Sequence, residues 1–286
     1  MSDAQILDRG YRRFEGERSG VFGAMRSVAW HTIRSILGLG RKARHKIFPV
    51  IVLVVSFVPA IAFLAITVLL GEFGDAVRPE YWEFFGFSFV ATIVFVALVA
   101  PEAIVRDRRD GMFALYLSTP LSRRSYVAAK VLAVFGTMAL IVLGPPVLWL
   151  LGYTFQSQGP DGLVNWLGVM AGILVAGLVI CTVYTALSLG VSSLTDRRAF
   201  ASIAVVFVML GSSIAANVLV EAAGLAQHWL VLDPLTTAFE AAPRIFGERS
   251  PDALEVDTWL IVVGCVGWTA LGAGLLTWRY RKLAAV

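Results

Sequence analysis

Charge is what this chain has least of. Asp, Glu, Lys and Arg make up 15% of its 286 residues and hydrophobic residues 58%, where a soluble domain carries about 25% and about 45–50%. Mean hydropathy is +0.76. So little polar surface excludes a water-soluble globule and points to an integral membrane protein. Cysteine is as sparse. Cys181 and Cys265 each sit in an apolar run, with no second cysteine or histidine at ligand spacing, so both read as core thiols and no metal site is expected. The histidines, His31, His45 and His228, fall outside the long apolar stretches. Without them neither a zinc site nor a Ser/His dyad can be assembled inside a membrane, which leaves an intramembrane protease unsupported. A phosphate loop is also missing. Its nearest approach, Gly38-Leu39-Gly40-Arg41-Lys42, has neither the spacing nor the hydroxyl of G-x-x-x-x-G-K-[ST]. If ATP powers this protein, another polypeptide binds it.

What is present are long apolar runs. A bilayer core of about 30 Å takes about 20 apolar residues in a helix, and only helices or closed barrels satisfy their backbone groups there. Six stretches qualify: 47–70, 82–105, 131–153, 164–194, 200–220 and 258–278. The expected fold is all-α, with a segment 1–46 before a six-span domain over 47–278 and a tail at 279–286. The net charge of +4 would ordinarily suggest nucleic acid. Here the basic residues mark one side of a membrane instead, and no nucleic acid partner is expected. Ten Lys or Arg precede the first span, six lie at 106–130, Arg197 and Arg198 follow the fourth span, and Arg279, Arg281 and Lys282 follow the last. Only Arg78, Arg244 and Arg249 fall on the other side. Because cytoplasmic flanks hold the excess of Lys and Arg, both termini are expected in the cytoplasm. No apolar stretch in the first 46 residues suits a signal-peptide core, so the N-terminus is expected to be retained.

The span centres carry no Asp, Glu, Lys or Arg, which removes the usual coupling site of a proton pump or secondary transporter. Glu83 and Glu102 stand at span edges, and Glu102 is expected to pair with Arg106 at i+4. Hydroxyls and amides do occur: Ser212, Ser213 and Asn217 in the fifth span, and Thr182, Tyr184, Thr185 and Ser188 in the fourth. They read either as helix-packing hydrogen bonds or, for Ser212, Ser213, Asn217 and Thr185, as the lining of a translocation path. Gly168, Gly172 and Ala176 form a small-residue stripe suited to close helix packing, and Pro145 with Pro146 is expected to kink the third span. Before the first span, Val21, Met25, Val28, Ala29, Ile33, Ile36 and Leu37 recur at helical spacing with Arg26 and Arg34 off the stripe. This is an amphipathic helix, lying on the membrane or packed on the protein, and the basic cluster Arg41, Lys42, Arg44, His45, Lys46 follows it as an anchor to anionic lipid. The loop 221–257 holds Trp229-Leu230-Val231-Leu232 and Asp233-Pro234-Leu235. It is too short to span and is expected to form one or two interfacial or re-entrant helices.

The loop between the second and third spans is the most informative segment. A mixed-charge cluster, Arg106-Asp107-Arg108-Arg109-Asp110-Gly111, leads into a short helix bearing Met112, Phe113, Leu115, Tyr116 and Leu117, which Pro120 stops. Such apolar surface on a polar loop reads as a helix resting on headgroups or as a docking element for a soluble partner, with apolar anchors ringed by charge. In order and spacing, Asp107-Arg108, Gly111, Leu115 to Leu117, Ser118-Thr119-Pro120-Leu121-Ser122-Arg123 and Lys130 resemble the permease subunits of type 2 ABC transporters. Where that family commonly has a second acidic residue, this chain has Arg109, with Asp110 beside it.

The resemblance implies a transport permease of the bacterial cytoplasmic membrane, mostly of the exporting class, without a catalytic site of its own. ATP and Mg would be bound by a partner ABC ATPase, and a second permease copy or paralogue would complete the assembly within membrane lipid. It implies that the 111–117 helix is a coupling helix seated on the ATPase, and that the N-terminal helix is the family's elbow helix. The residues expected to serve coupling are Asp107, Arg108, Arg109, Asp110, Gly111, Met112, Phe113, Leu115, Tyr116, Leu117, Pro120, Arg123 and Lys130. Two rival classes remain: a membrane scaffold that recruits a cytoplasmic protein through the same loop, and an ion-coupled secondary transporter.

Overall fold

The computed structural model describes residues 20–39, 44–71, 78–117, 119–248 and 256–282, apart from the side chains of Arg44, His45, Val99, Phe113, Ala114 and Leu117. The expectations for residues 1–19, for Arg41 and Lys42, and for the end of the tail lie outside that set. All regular structure among the described residues is helical. Before the first span comes α1 (Val21–Ile36), and α2 (Arg44–Leu70) follows. The second span is built in pieces, α3 (Glu83–Phe87), α4 (Phe89–Val94), a π-helical turn at Phe95–Val99 and α5 (Glu102–Arg109). A short α6 (Met112–Leu117) then leads to α7 (Arg123–Phe155), α8 (Gly162–Ser192) and α9 (Arg198–Asn217). A 3₁₀ turn at Gln227–Leu232 and α10 (Pro234–Ile245) precede the last helix, α11 (Thr258–Lys282). Six helical stretches are long and apolar enough to cross a membrane: Lys46–Leu70, Phe89–Arg109, Arg123–Phe155, Gly162–Ser192, Arg198–Ala222 and Thr258–Lys282. The fold is therefore the all-α, six-span architecture expected from the apolar runs.

Helix α8 is the centre of the bundle, packing against α7, α9, α10 and α11. Its second half is almost wholly buried, Cys181, Tyr184, Leu187 and Ser188 included. The outer faces of α2 and α9 keep exposed Val54, Val58, Ile61, Ile203, Phe207 and Ile214, the side chains that lipid tails cover in a bilayer. The closest helix crossing lies between α8 and α11. A Cβ on Gly272 would come within 2.3 Å of the Ala186 carbonyl oxygen, and one on Gly190 within 2.3 Å of the Gly272 carbonyl oxygen, so the two backbones touch. The small-residue stripe plays a different part: Gly168 has open space at its Cβ position, and Gly172 receives the Phe246 ring. Helix α7 runs unbroken through Pro145 and Pro146, both buried.

Where the apolar run predicts one helix over 82–105, the structure breaks it. Ser88 forms a turn between α3 and α4, and the Ala100 N–H bonds the Phe95 carbonyl five residues back at 3.0 Å. Pro101 has no N–H with which to continue that register. The carbonyl it would have met, Val96, accepts instead the Ser188 hydroxyl of α8 at 2.8 Å. An unmade bond at that depth would have no water to replace it.

Asp233-Pro234-Leu235 starts α10. The Asp233 carboxylate accepts the Leu235 N–H at 2.8 Å as a helix cap, with Pro234 at the first helical position. Buried Tyr184 donates its hydroxyl toward the Pro234 and Leu235 carbonyls, both at 2.9 Å, and so docks the loop on α8.

Ser188→Ala should lower stability by about 1 kcal/mol through the unpaired Val96 carbonyl. The same substitution should cost much less in a Pro101→Ala background, where an N–H is restored. Thermal unfolding in mild detergent checks both, and equal losses in the two backgrounds would refute the pairing.

Candidate functional site

The loop that the sequence singles out begins on α5, whose Glu102 lies in the first turn and whose Arg106, Arg108 and Arg109 lie in the last, as the helix dipole favours. The chain reverses at Gly111, which has φ +67. That left-handed conformation costs a side-chain-bearing residue about 1–2 kcal/mol and suits glycine. After α6, the Thr119 N–H bonds the Tyr116 carbonyl at 3.2 Å, and exposed Pro120 ends the helix. Leu121 is buried, and Ser122 caps α7 by accepting the Ser125 N–H at 3.2 Å.

From α5, charged side chains radiate to nearly every neighbouring element at this end of the bundle. Asp107 meets the ammonium of Lys130 on α7 at 2.6 Å, with the two side chains 13% and 4% exposed. It also accepts the Tyr126 hydroxyl at 2.9 Å. Arg108 donates to the Ser193 carbonyl at 2.5 Å and pairs with Asp196 in the α8–α9 turn. Arg106 donates to the Ser35 hydroxyl of α1 at 3.0 Å and lies 3.5 Å from Asp110. Glu102 reaches Arg198 at the start of α9, 3.3 Å away, where the sequence suggested Arg106 as its partner.

Helix α6 is tied into this network through Tyr116. Its ring centroid is 5.4 Å from that of Tyr126, and the Lys130 ammonium stands 5.9 Å and 5.6 Å from the two rings, within cation–π range. Tyr126 in turn lies 6.2 Å from Tyr280 near the end of α11. Burial pushes the Tyr116 phenol above its ordinary pKa, and the Asp107 charge pushes it further the same way, so it stays protonated. Leu115 points outward, 58% exposed, while Met112, 37% exposed, lines the same cleft as Tyr116, Asp107 and Lys130. Of the remaining expected loop residues, Arg109 is exposed beside Asp110 at 3.1 Å, and Arg123 is exposed on the first turn of α7. The side chains of Phe113 and Leu117 lie outside the described set.

The structure thus brings Asp107, Met112, Tyr116 and Lys130 to one cleft and leaves Leu115 facing away. Sequence reasoning passed over Glu102, Tyr126, Asp196, Arg198 and Tyr280 as network members. The signal available was the Asp196-Arg197-Arg198 charge run closing α8, which sits at the same end of the bundle as the loop. The polar residues proposed for a path are spread over two helices. Ser212 and Asn217 bond carbonyls of their own helix, at Val208 and Ser213, while buried Thr185 faces Met138 of α7.

The family model of the ABC-2 family transporter protein matches residues 46–283, from the start of the first span to the end of the last. The chain belongs to the ABC-2 transporter family. It is accordingly a multi-pass membrane component of an ABC transporter, a permease, and membership implies partnership with an ABC ATPase, which binds the ATP in this family. No curated protein matches the chain significantly. The matched stretch includes the loop and all six spans of the ABC-2 permease, whereas α1 precedes it.

Lys130→Met should destabilise the permease by about 3–5 kcal/mol, because it leaves the Asp107 carboxylate buried with one hydroxyl as its partner. Adding Asp107→Asn should recover most of that loss. Thermal midpoints of the three variants in detergent check this, and a double variant no more stable than Lys130→Met would contradict it.

Proposed function

We propose that this permease is the transmembrane subunit of an exporter in the bacterial cytoplasmic membrane, and that its basic end, with both termini, faces the cytoplasm. In that reading α6 is the coupling helix and α1 the elbow helix. The observation that carries it is the construction of the loop. Tyr116 roots α6 in the Asp107–Lys130 pair, while Leu115 presents an apolar side chain to solution on a helix flanked in sequence by exposed Arg109, Asp110 and Arg123. An apolar anchor within a charged rim is how a docking surface is built.

The mechanism is mechanical. An ATPase dimer that closes on ATP pulls on α6, and the charge network passes the displacement to α1, α7, α9 and α11 as a rigid unit, so that the permease rocks between two packings. The chain takes no chemical step. ATP and Mg stay on the ATPase, and a second permease copy or paralogue completes the channel. Ser212, Ser213 and Asn217, partly exposed on α9, are the polar groups assigned to the translocation path. Thr185, enclosed against Met138, serves packing in this conformation.

Extraction in mild detergent should co-purify an ABC ATPase with the wild-type permease. Leu115→Asp places a charge where an apolar anchor seats, and should lower that recovery, and ATP-driven flux in proteoliposomes, at least about tenfold. Full recovery and flux in the variant would overturn the coupling assignment.

A further inference from the structure

Beside the loop, α1 and Arg106 enclose a cleft of about 490 Å³ lined by Arg34, Arg106, His31, Ser27, Ser35 and Trp30. Two guanidinium groups line it, and among the described residues no carboxylate does. The Arg34 side chain is exposed and makes no ion pair or hydrogen bond among the described residues. The acids nearby, which line the adjoining cleft, are engaged away from Arg34: Glu102 with Arg198, Asp107 with Lys130, and Asp110 with Arg106 and Arg109. Positive charge is therefore left over on the α1 side, with two serine hydroxyls beside it.

The surroundings indicate where an anion would come from. On and just beyond the same helix, Phe22, Trp30 and Leu39 are 81%, 59% and 46% exposed, although α1 buries Val28 and Ile36 against the bundle. An amphipathic helix that leaves aromatic and aliphatic groups bare beside the start of the first span sits at the depth of the headgroups, where tryptophan is favoured. A free phosphate in solution would need the two arginines and Ser27 but would gain nothing from that apolar border. A phospholipid uses both.

We propose that this cleft is a binding site for one anionic phospholipid, whose headgroup phosphate lies between Arg34 and Arg106 and accepts from Ser27, with its glycerol and upper acyl chain along Trp30 and Leu39. Arg106 also holds Asp110, so a bound phosphate draws on the same guanidinium that steadies the turn into α6. The site rests on the placement of the basic end at the cytoplasmic headgroups proposed above, and not on what α6 docks against, so it can fail or stand apart from the coupling assignment.

The full chain, purified in mild detergent, is titrated with dioleoyl phosphatidylglycerol or dioleoyl phosphatidylcholine, and bound lipid is counted by native mass spectrometry. Wild type should hold one phosphatidylglycerol per chain at about tenfold lower concentration than phosphatidylcholine, as the interaction of a guanidinium pair with net lipid charge requires. Arg34→Glu should abolish that preference while unfolding at the wild-type temperature, and Arg34→Lys should keep most of it. Arg34→Gln, which removes the charge without reversing it, gives the same reading should Arg34→Glu fail to fold. Equal binding of the two lipids by wild type, or an undiminished preference in Arg34→Glu or Arg34→Gln, would overturn the site. Millimolar inorganic phosphate should leave the lipid in place. Its displacement there would mark a site for free phosphate and overturn the lipid assignment.

Discussion

The constraint on which everything else depends is that a backbone polar group inside a bilayer has no water to bond. It makes every described span helical, and it leaves the span centres without charge. It also explains how one failure of the helix ladder is repaired. The π turn at Phe95–Val99 meets Pro101 and frees a carbonyl, and Ser188 reaches across from the central helix to fill it. A break in the second span is thus joined to α8 at the centre of the bundle. The cost of leaving Val96 unpaired is what makes the irregular geometry specific.

Excluded from the core, charge collects where α5 emerges. Successive residues of one helix turn point in different directions, so Glu102, Arg106, Asp107 and Arg108 each meet a different element. Individually, ion pairs contribute little at a surface and can be unfavourable when buried. Their collective effect is geometric. With Lys130 held between an acid and two tyrosine rings, α6 cannot move without moving α7, and Arg108 extends the same linkage to the α8–α9 turn. A helix so rooted, with Leu115 turned outward, transmits a push better than a flexible loop would.

Much of this was legible in the sequence, and the parts that were not share a cause. Uninterrupted apolar runs such as that of α8 marked the spans, because length and hydropathy are local properties. The loop was legible because Gly111 and Pro120 punctuate it and because apolar residues there are out of place. The break in the second span was only half visible: Pro101 could be read, but the π register could not, since it depends on a partner, Ser188, far away in the chain. Small residues pointed to Gly168 and Gly172, while the backbones touch at Gly190 and Gly272, because which small residues meet is decided by the crossing of α8 and α11. The pairing of Glu102 with Arg198 was missed for the same reason. An i+4 neighbour is visible in the sequence, and a cross-helix partner is visible only in the fold.

The proposed coupling seats the face of α6 carrying Leu115 on the ATPase. The most direct measurement is site-specific cross-linking in native membranes, with Leu115→Cys compared with Leu225→Cys at the opposite end of the bundle. The native thiols Cys181 and Cys265 are buried and leave the background low. A cross-link to an ABC ATPase is expected from position 115, its yield changed by ATP, and none from position 225. No adduct from position 115, or an equal one from 225, would contradict it.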